Sequence, residues 1–303
     1  MIANLAKWLP NIHTLTFSDY HVLPADHLID LLQLFPRIST LQFRCCHLQY
    51  SSSDINAKIK GILASVDSLN LVWTDFSDDA ITLLLGNMPN LVRVHFGTNH
   101  NRNRSANNNA LLALEKYCLG IHSLNISLQH VQEDIICRLI VSYGHQLRHL
   151  SIPCDSPRIL TIIAANALQL EQLIIRAEAL REQFTPFEVT RRRQSTNVNN
   201  TVAANRLSDA KLGMIHILRQ CQTLVYLEMT SWMVRDIPYE VWQIVRPQQD
   251  TSGMNVNSNY EAYYLDDRAW RHRRGLKQHD VGYLTKTLAL HMRELYEIRK
   301  RLR

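Results

Sequence analysis

Ile38-Ser39-Thr40-Leu41-Gln42-Phe43 and Val66-Asp67-Ser68-Leu69-Asn70-Leu71 follow one pattern, apolar-x-x-Leu-x-apolar, and six further copies lie on either side of them. Ile12-His13-Thr14-Leu15-Thr16-Phe17 precedes them. Leu91-Val92-Arg93-Val94-His95-Phe96, Ile121-His122-Ser123-Leu124-Asn125-Ile126 and Leu147-Arg148-His149-Leu150-Ser151-Ile152 follow. Leu170-Glu171-Gln172-Leu173-Ile174-Ile175 and Leu224-Val225-Tyr226-Leu227-Glu228-Met229 complete the set. Between central residues the steps are 26, 28, 25, 30, 26, 23 and 54 residues. A period of this size predicts a solenoid, because each unit is too small to bury its own apolar face and must stack on the next. Such a surface binds; it does not enclose a catalytic pocket.

The chemistry inside one period supports this. The alternation of Leu-x-apolar has the two-residue period of a short strand with both apolar side chains inward. A polar turn and then a helical spacing follow. Pro24 to Phe35 aligns Leu28, Leu31, Leu32 and Phe35. Ser77-Asp78-Asp79 supplies an N-cap and first-turn acids ahead of Ile81, Leu84 and Leu85, Ser156-Pro157 an N-cap with proline at the first helical position, and Ser208-Asp209 a further start.

These residues resemble a leucine-rich repeat protein of the ribonuclease-inhibitor-like superfamily over roughly residues 8–232. More narrowly, they resemble the irregular cysteine-containing repeats of F-box proteins. In that family the repeat opens six residues before the central Leu with Cys or an apolar residue, often followed by Pro. Leu9-Pro10, Phe35-Pro36, Met88-Pro89, Cys118 and Cys221 match this opening. Five residues after the central Leu the family often carries Cys or Asn, whose side chain bonds turn backbone. Cys46 and Asn99 fit, and Thr74 can do the same; Tyr20, Gln129, Asp155, Glu178 and Trp232 depart from it. The resemblance implies an α/β fold, a curved parallel sheet on the concave side with helices on the convex side, and recognition of a substrate for a cullin-type ubiquitin ligase.

Composition sets the boundaries. The array of about eight irregular repeats is expected over residues 1–245, with polar loop insertions near 99–109 and 185–206, the latter around Arg191-Arg192-Arg193. Residues 246–262 read as a linker. Residues 263–303 read as a basic helical C-terminal segment, with one helix from Val281 to Leu302 whose stripe runs through Leu284, Leu288, Met292 and Leu295. It is expected to pack on and cap the open end of the array, a partner helix or a basic surface being the alternatives. The net charge of +6 is uneven: residues 246–303 hold twelve Lys/Arg against seven Asp/Glu, so the repeats are close to neutral. The array therefore lacks the footprint of a nucleic-acid surface. The first copy starts close to Met1, so either Trp8 and Leu9 cover its end or a further domain belongs in front; a shortened member of its family is expected.

Six cysteines without a CxxC pair, and no signal-like segment, point to reduced thiols and a cytoplasmic or nuclear protein. No apolar run is long enough to span a membrane. No P-loop or dinucleotide-binding pattern occurs. His145 and His149 would not share a helical face, and Cys45-Cys46 has no matching His/Cys set. No catalytic residue, metal or cofactor is expected. Two segments, Leu23-Pro24-Ala25-Asp26-His27-Leu28-Ile29 and Ile237-Pro238-Tyr239-Glu240-Val241-Trp242, imitate the opening of an F-box, but the first already belongs to a repeat helix and the second lacks the apolar helices that dock an adaptor. A Skp-type adaptor would thus require an F-box supplied upstream.

Residues one before, one after and three after each central residue should point out from the sheet. They are polar and carry Arg44, Arg93, His95, His149 and Arg176, with Tyr226 and Glu228 in the last copy. Arginine and tyrosine most often anchor interfaces, so the expected partner is a protein or peptide with an acidic or phosphorylated element. The alternatives are a ubiquitin-independent leucine-rich scaffold or regulator, and an RNA-associated protein using the basic C-terminal segment.

Overall fold

The computed structural model describes residues 8–9, 11–20, 22–48, 59, 61–97, 104–128, 130–153, 156–175, 212–230 and 287–302. It is an α/β protein built of parallel strands and helices in alternation, and it divides into two compact units, Met1–Leu147 and Arg148–Arg303.

In the first unit, strands β1 (Thr14–Ser18), β2 (Thr40–Arg44), β4 (Ser68–Val72), β6 (Arg93–Phe96) and β7 (Ser123–Ile126) pair side by side and all parallel. Two short strands, β3 (His47–Leu48) and β5 (Asp75–Phe76), form a parallel pair of their own. The central residues Leu15, Leu41, Leu69, Val94 and Leu124 are register partners along the sheet. All but Leu15, on the one-sided β1, are fully buried. Helices α1 (Ala25–Leu34), α2 (Asp78–Gly86), α3 (Arg104–Tyr117) and α4 (Glu133–Tyr143) follow their strands, and a 3-10 turn (Ile62–Ser65) precedes β4.

The second unit repeats this with β8 (His149–Ile152), α5 (Pro157–Asn166), β9 (Gln172–Ile175), helical residues 212–220 (α6) and β10 (Tyr226–Thr230). Leu150, Leu173 and Leu227 are again in register. Then comes a departure. Thr287–His291 is a strand, β11, running antiparallel to β10, and Met292–Leu302 (α7) is helical. The expected helix over 281–302 is corrected accordingly. β10 would otherwise leave a row of unpaired backbone groups, which the alternating Leu288 and Leu290 strand satisfies. Leu290 pairs with Leu227 and Thr287 with Thr230. On α7, Leu295, Ile298 and Leu302 are buried while Met292, expected on the stripe, is exposed.

One backbone device recurs at each step within a unit. The carbonyl two residues before a central residue accepts two N–H groups from the next repeat: His13 from Ser39 and Thr40, Ser39 from Asp67 and Ser68, Asp67 from Val92 and Arg93, and Val92 from His122 and Ser123. Arg148 accepts from Glu171 and Gln172, and Glu171 from Val225 and Tyr226. Both N–H groups of each strand entry are thereby satisfied without side-chain help.

Side chains finish the turns. Cys46 Sγ donates to the carbonyls of Phe17 (3.5 Å) and Arg44 (3.3 Å), and Thr74 Oγ1 donates to Val72 O and accepts from Cys46 N. Cys118 Sγ reaches Leu85 O and Met88 O, and Cys221 Sγ reaches Ala167 O, 3.4 Å away. Burial pushes the Cys118 thiol up to about 12 and the Cys221 thiol up to about 11, so both keep the proton they donate. Ser77 and Ser156 cap their helices, accepting from Ala80 N and Arg158 N.

The loop expected across 99–109 needs correction over its second half, since α3 begins at Arg104. Polar composition suggested a loop, but these asparagines bond to neighbouring repeats. Asn108 Oδ1 accepts from Gln132 N (2.9 Å) at the start of α4, and Asn109 Nδ2 donates to Asp78 Oδ2 (2.8 Å). The insertion near 185–206, the 246–262 linker and residues 263–286 lie outside the described residues. The F-box-like segment at Leu23–Ile29 is core: Leu23, Leu28 and Ile29 are buried under the first repeat. Trp8 and Leu9 are both exposed, and neither is sequestered against that repeat.

Tyr143, buried in α4, donates its hydroxyl to Leu114 O at 2.8 Å. Leu114 O also accepts from Cys118 N, so removing the hydroxyl leaves no carbonyl stranded. Tyr143→Phe is therefore expected to lower unfolding free energy by only about 1 kcal/mol in urea denaturation. A loss well above that would mean the hydroxyl has a second role.

Candidate functional site: the outward face of the strands

In the first unit the outward positions form three rows across neighbouring strands. Thr14, Thr40, Ser68, Arg93 and Ser123 are register partners, as are Thr16, Gln42, Asn70, His95 and Asn125. Ser18, Arg44 and Val72 begin the third. Strands lie roughly 4.8 Å apart, so each row is a close ladder of hydroxyl, amide, imidazole and guanidinium groups. Thr16 donates to Gln42 Oε1 and Ser127 to Asn125 Oδ1. Asn70 Oδ1 is occluded with no hydrogen-bond partner.

The row ends in a close backbone approach. Gly97 N donates to Leu71 O at 2.6 Å, and a Cβ at this position would stand 2.6 Å from the same oxygen. Only glycine fits here.

Among the cations expected to anchor a partner, Arg44, Arg93 and His95 share the first unit. Arg93 is already engaged: its Nη2 lies 2.6 Å from Asp67 Oδ1, with both side chains about half exposed. Such a pair contributes little stability but cancels most of the charge a partner would meet. Arg44 differs. It is exposed, and among the described residues no carboxylate lies within 4 Å of it.

In the second unit His149, Gln172 and Tyr226 are register partners, with Glu228 beside Ile174. His149 Nε2 stands 3.9 Å from Glu171, whose carboxylate also takes Arg148 at 3.0 Å. Tyr226 donates its hydroxyl to Glu228 Oε2 at 2.7 Å, so these two candidates engage each other. Ser151 Oγ, at an outward position, is buried without a partner. Arg176 lies outside the described residues.

Sequence reasoning missed two features. The neutralising acids Asp67 and Glu171 stand two residues before the central Leu, a position left out of the outward set. A faint signal exists in hindsight: an acid there faces a basic residue one strand away. The second is the turn four residues past the centre, where Asp19, Cys45 and Trp73 all adopt left-handed backbone, φ 61°, 52° and 53°. Asp19 N donates to Arg44 O and Cys45 N to Val72 O, which fixes that turn against the next strand.

Among the described residues no group of three His, Cys, Asp or Glu side chains is placed to hold a metal ion, and no helix is long and apolar enough to cross a membrane. No protein-family model matches the chain, and no curated protein matches it.

Proposed function

We propose that the chain is a leucine-rich repeat solenoid that acts as a non-catalytic recognition module, presenting substrate to a cullin-type ubiquitin ligase of the SCF class in the cytoplasm or nucleus. The observation that carries this reading is the in-register, polar, hydrogen-bonding outward face, repeated strand after strand on a buried leucine ladder. Such a face suits an extended or helical protein segment, because it offers donors and acceptors at strand spacing over a rigid support. A Skp-type adaptor would join through an F-box outside the described repeats. Use as a ubiquitin-independent scaffold is the runner-up. The RNA-associated alternative is weakened by the internal use of cations: Arg93 faces Asp67, Arg148 faces Glu171, and Arg299 of the basic C-terminal segment is turned onto backbone carbonyls of its own unit.

Affinity capture with the tagged chain tests it. Skp-type adaptor and cullin should co-purify, and Arg93→Glu, which sets a second carboxylate beside Asp67, should reduce retention of the bound substrate by about tenfold. Other defined partners at stoichiometric yield with no adaptor or cullin would favour the scaffold. Retention unchanged in Arg93→Glu would remove the outward face as the binding surface.

A further inference from the structure

The Met1–Leu147 unit has one open sheet edge. Among the described residues β1 is bonded to β2 and to no other strand. Ile12 and Leu15 are half-buried there, whereas Ile38 and Leu41, their equivalents one repeat on, are fully buried. Before the strand Trp8 is 81% and Leu9 48% exposed, and after it Tyr20 and Val22 are exposed as well. Thr14–Ser18 is as long as β2 and β4. Charged residues and prolines are the usual devices that keep an edge from pairing, and this strand has neither. In the second unit the free side of β10 is closed by an antiparallel strand, β11.

We infer that β1 is the interface of a homodimer, in which it pairs antiparallel with the β1 of a second copy. Backbone direction sets the register. His13 O accepts from Thr40 N and Asp19 N donates to Arg44 O, so the odd-numbered residues turn their backbone groups to β2. Thr14, Thr16 and Ser18 therefore turn theirs to the open side. A two-fold axis through Thr16 satisfies all three, setting Thr16 against Thr16 and Thr14 against Ser18, with about six N–H···O bonds. Any other antiparallel register leaves at least one of the three unpaired. The side chains agree: hydroxyl residues meet hydroxyl residues, and Leu15 comes opposite Phe17. The strand ends are complementary too. Antiparallel pairing brings the end with Trp8, Leu9 and His13 to the end with Asp19, Tyr20 and Val22, apolar to apolar and base to acid. Symmetry makes that match twice, and an isologous contact closes at two copies.

Sedimentation equilibrium of the full chain from about 1 to 200 µM tests this, because a contact of a few strand residues dissociates in roughly the micromolar range. The mass should rise from 35.1 kDa to twice that value and no further. Thr16 is exposed, so Thr16→Lys is a surface change; it sets two ammonium groups face to face and should weaken association at least about tenfold. Oxidation with oxidised glutathione reads the register. Thr16→Cys places two thiols across the axis, where Cα atoms roughly 5.5 Å apart suit a disulfide, and should give a covalent dimer above the parent's background. Ser18→Cys should not, since its two copies lie roughly 13 Å apart along the strands. A monomer throughout the range overturns the dimer, and hydrogen exchange then identifies the occupant. A protected Thr16 amide would assign the edge to another segment of the same chain, an unprotected one would leave it bare. Species that keep growing with concentration, a dimer indifferent to Thr16→Lys, or equal cross-linking through Ser18→Cys overturn it as well.

Discussion

Phe43→Ala is expected to lower the unfolding free energy by about 3–5 kcal/mol. Phe43 sits two residues past a central leucine, completely buried, with Phe17 and Leu71 as register partners on either side. Its ring stacks on Phe17 at 5.4 Å between centroids and 12° between planes. Truncation removes the apolar contacts of one ring and uncovers another, and two flanking strands pinned by backbone hydrogen bonds cannot collapse into the space. Phe43→Leu, which retains most of the volume, should cost under about 1.5 kcal/mol. Urea denaturation followed by circular dichroism measures both. Hydrogen exchange should place the loss within residues 1–147. A loss under about 1 kcal/mol for Phe43→Ala would mean that the strand's inward face has been misassigned.

Arg299→Ala should cost about 2–3 kcal/mol, from polar rather than apolar contacts. The guanidinium donates to Leu218 O (3.3 Å), Cys221 O (2.6 Å) and Leu224 O (2.9 Å), at and beyond the end of helical residues 212–220. A helix ends with carbonyls that have no N–H of their own and a partial negative charge, and a cation there answers both needs. Hydrogen bonds to charged groups contribute about 1.5–3 kcal/mol, toward the upper end only when water is excluded. Arg299 is half-buried, which sets the estimate within that range. Arg299→Lys should recover less than half, because an ammonium cannot serve three carbonyls through a planar fork. If lysine restores full stability, the fork is not the cause. Loss of protection in hydrogen exchange at 212–224 and 292–302 together would show that the arginine fastens α7 to the last repeat.

The strands were legible because a sheet buried on one face leaves little choice. Leu41, Phe43, Leu69 and Leu71 must alternate inward, and the same six-residue pattern marks every neighbour. Ser77 and Ser156 were legible as caps for an equally local reason. Thr287–His291 was not legible, since Leu284, Leu288, Met292 and Leu295 happen to fall at helical spacing. What decides its conformation is β10's unpaired side, which no local window contains. Asn108 and Asn109 misled for the converse reason: their partners, Gln132 and Asp78, belong to other repeats. At the candidate site, Arg44 and Arg93 looked equivalent in sequence. The difference between them is one carboxylate, Asp67, which is 26 positions from Arg93 and just ahead of the adjoining strand. The left-handed backbone shared by Asp19, Cys45 and Trp73 was not legible, because composition does not reveal a backbone angle.

Thr230 and Thr287 are direct partners across β10 and β11, so residues 231–286 begin and end at the same place. For the sheet, what counts is only that the chain leaves at Thr230 and returns at Thr287. Closing a loop twice as long costs only about 0.6 kcal/mol more, so the repeats exert almost no selection on its length. Residues could accumulate or vanish between those two threonines while the leucine ladder, the aromatic stack and the arginine clasp stayed unchanged. Related chains should therefore differ most in length at this point, and a foreign domain spliced here should leave the strands on both sides paired.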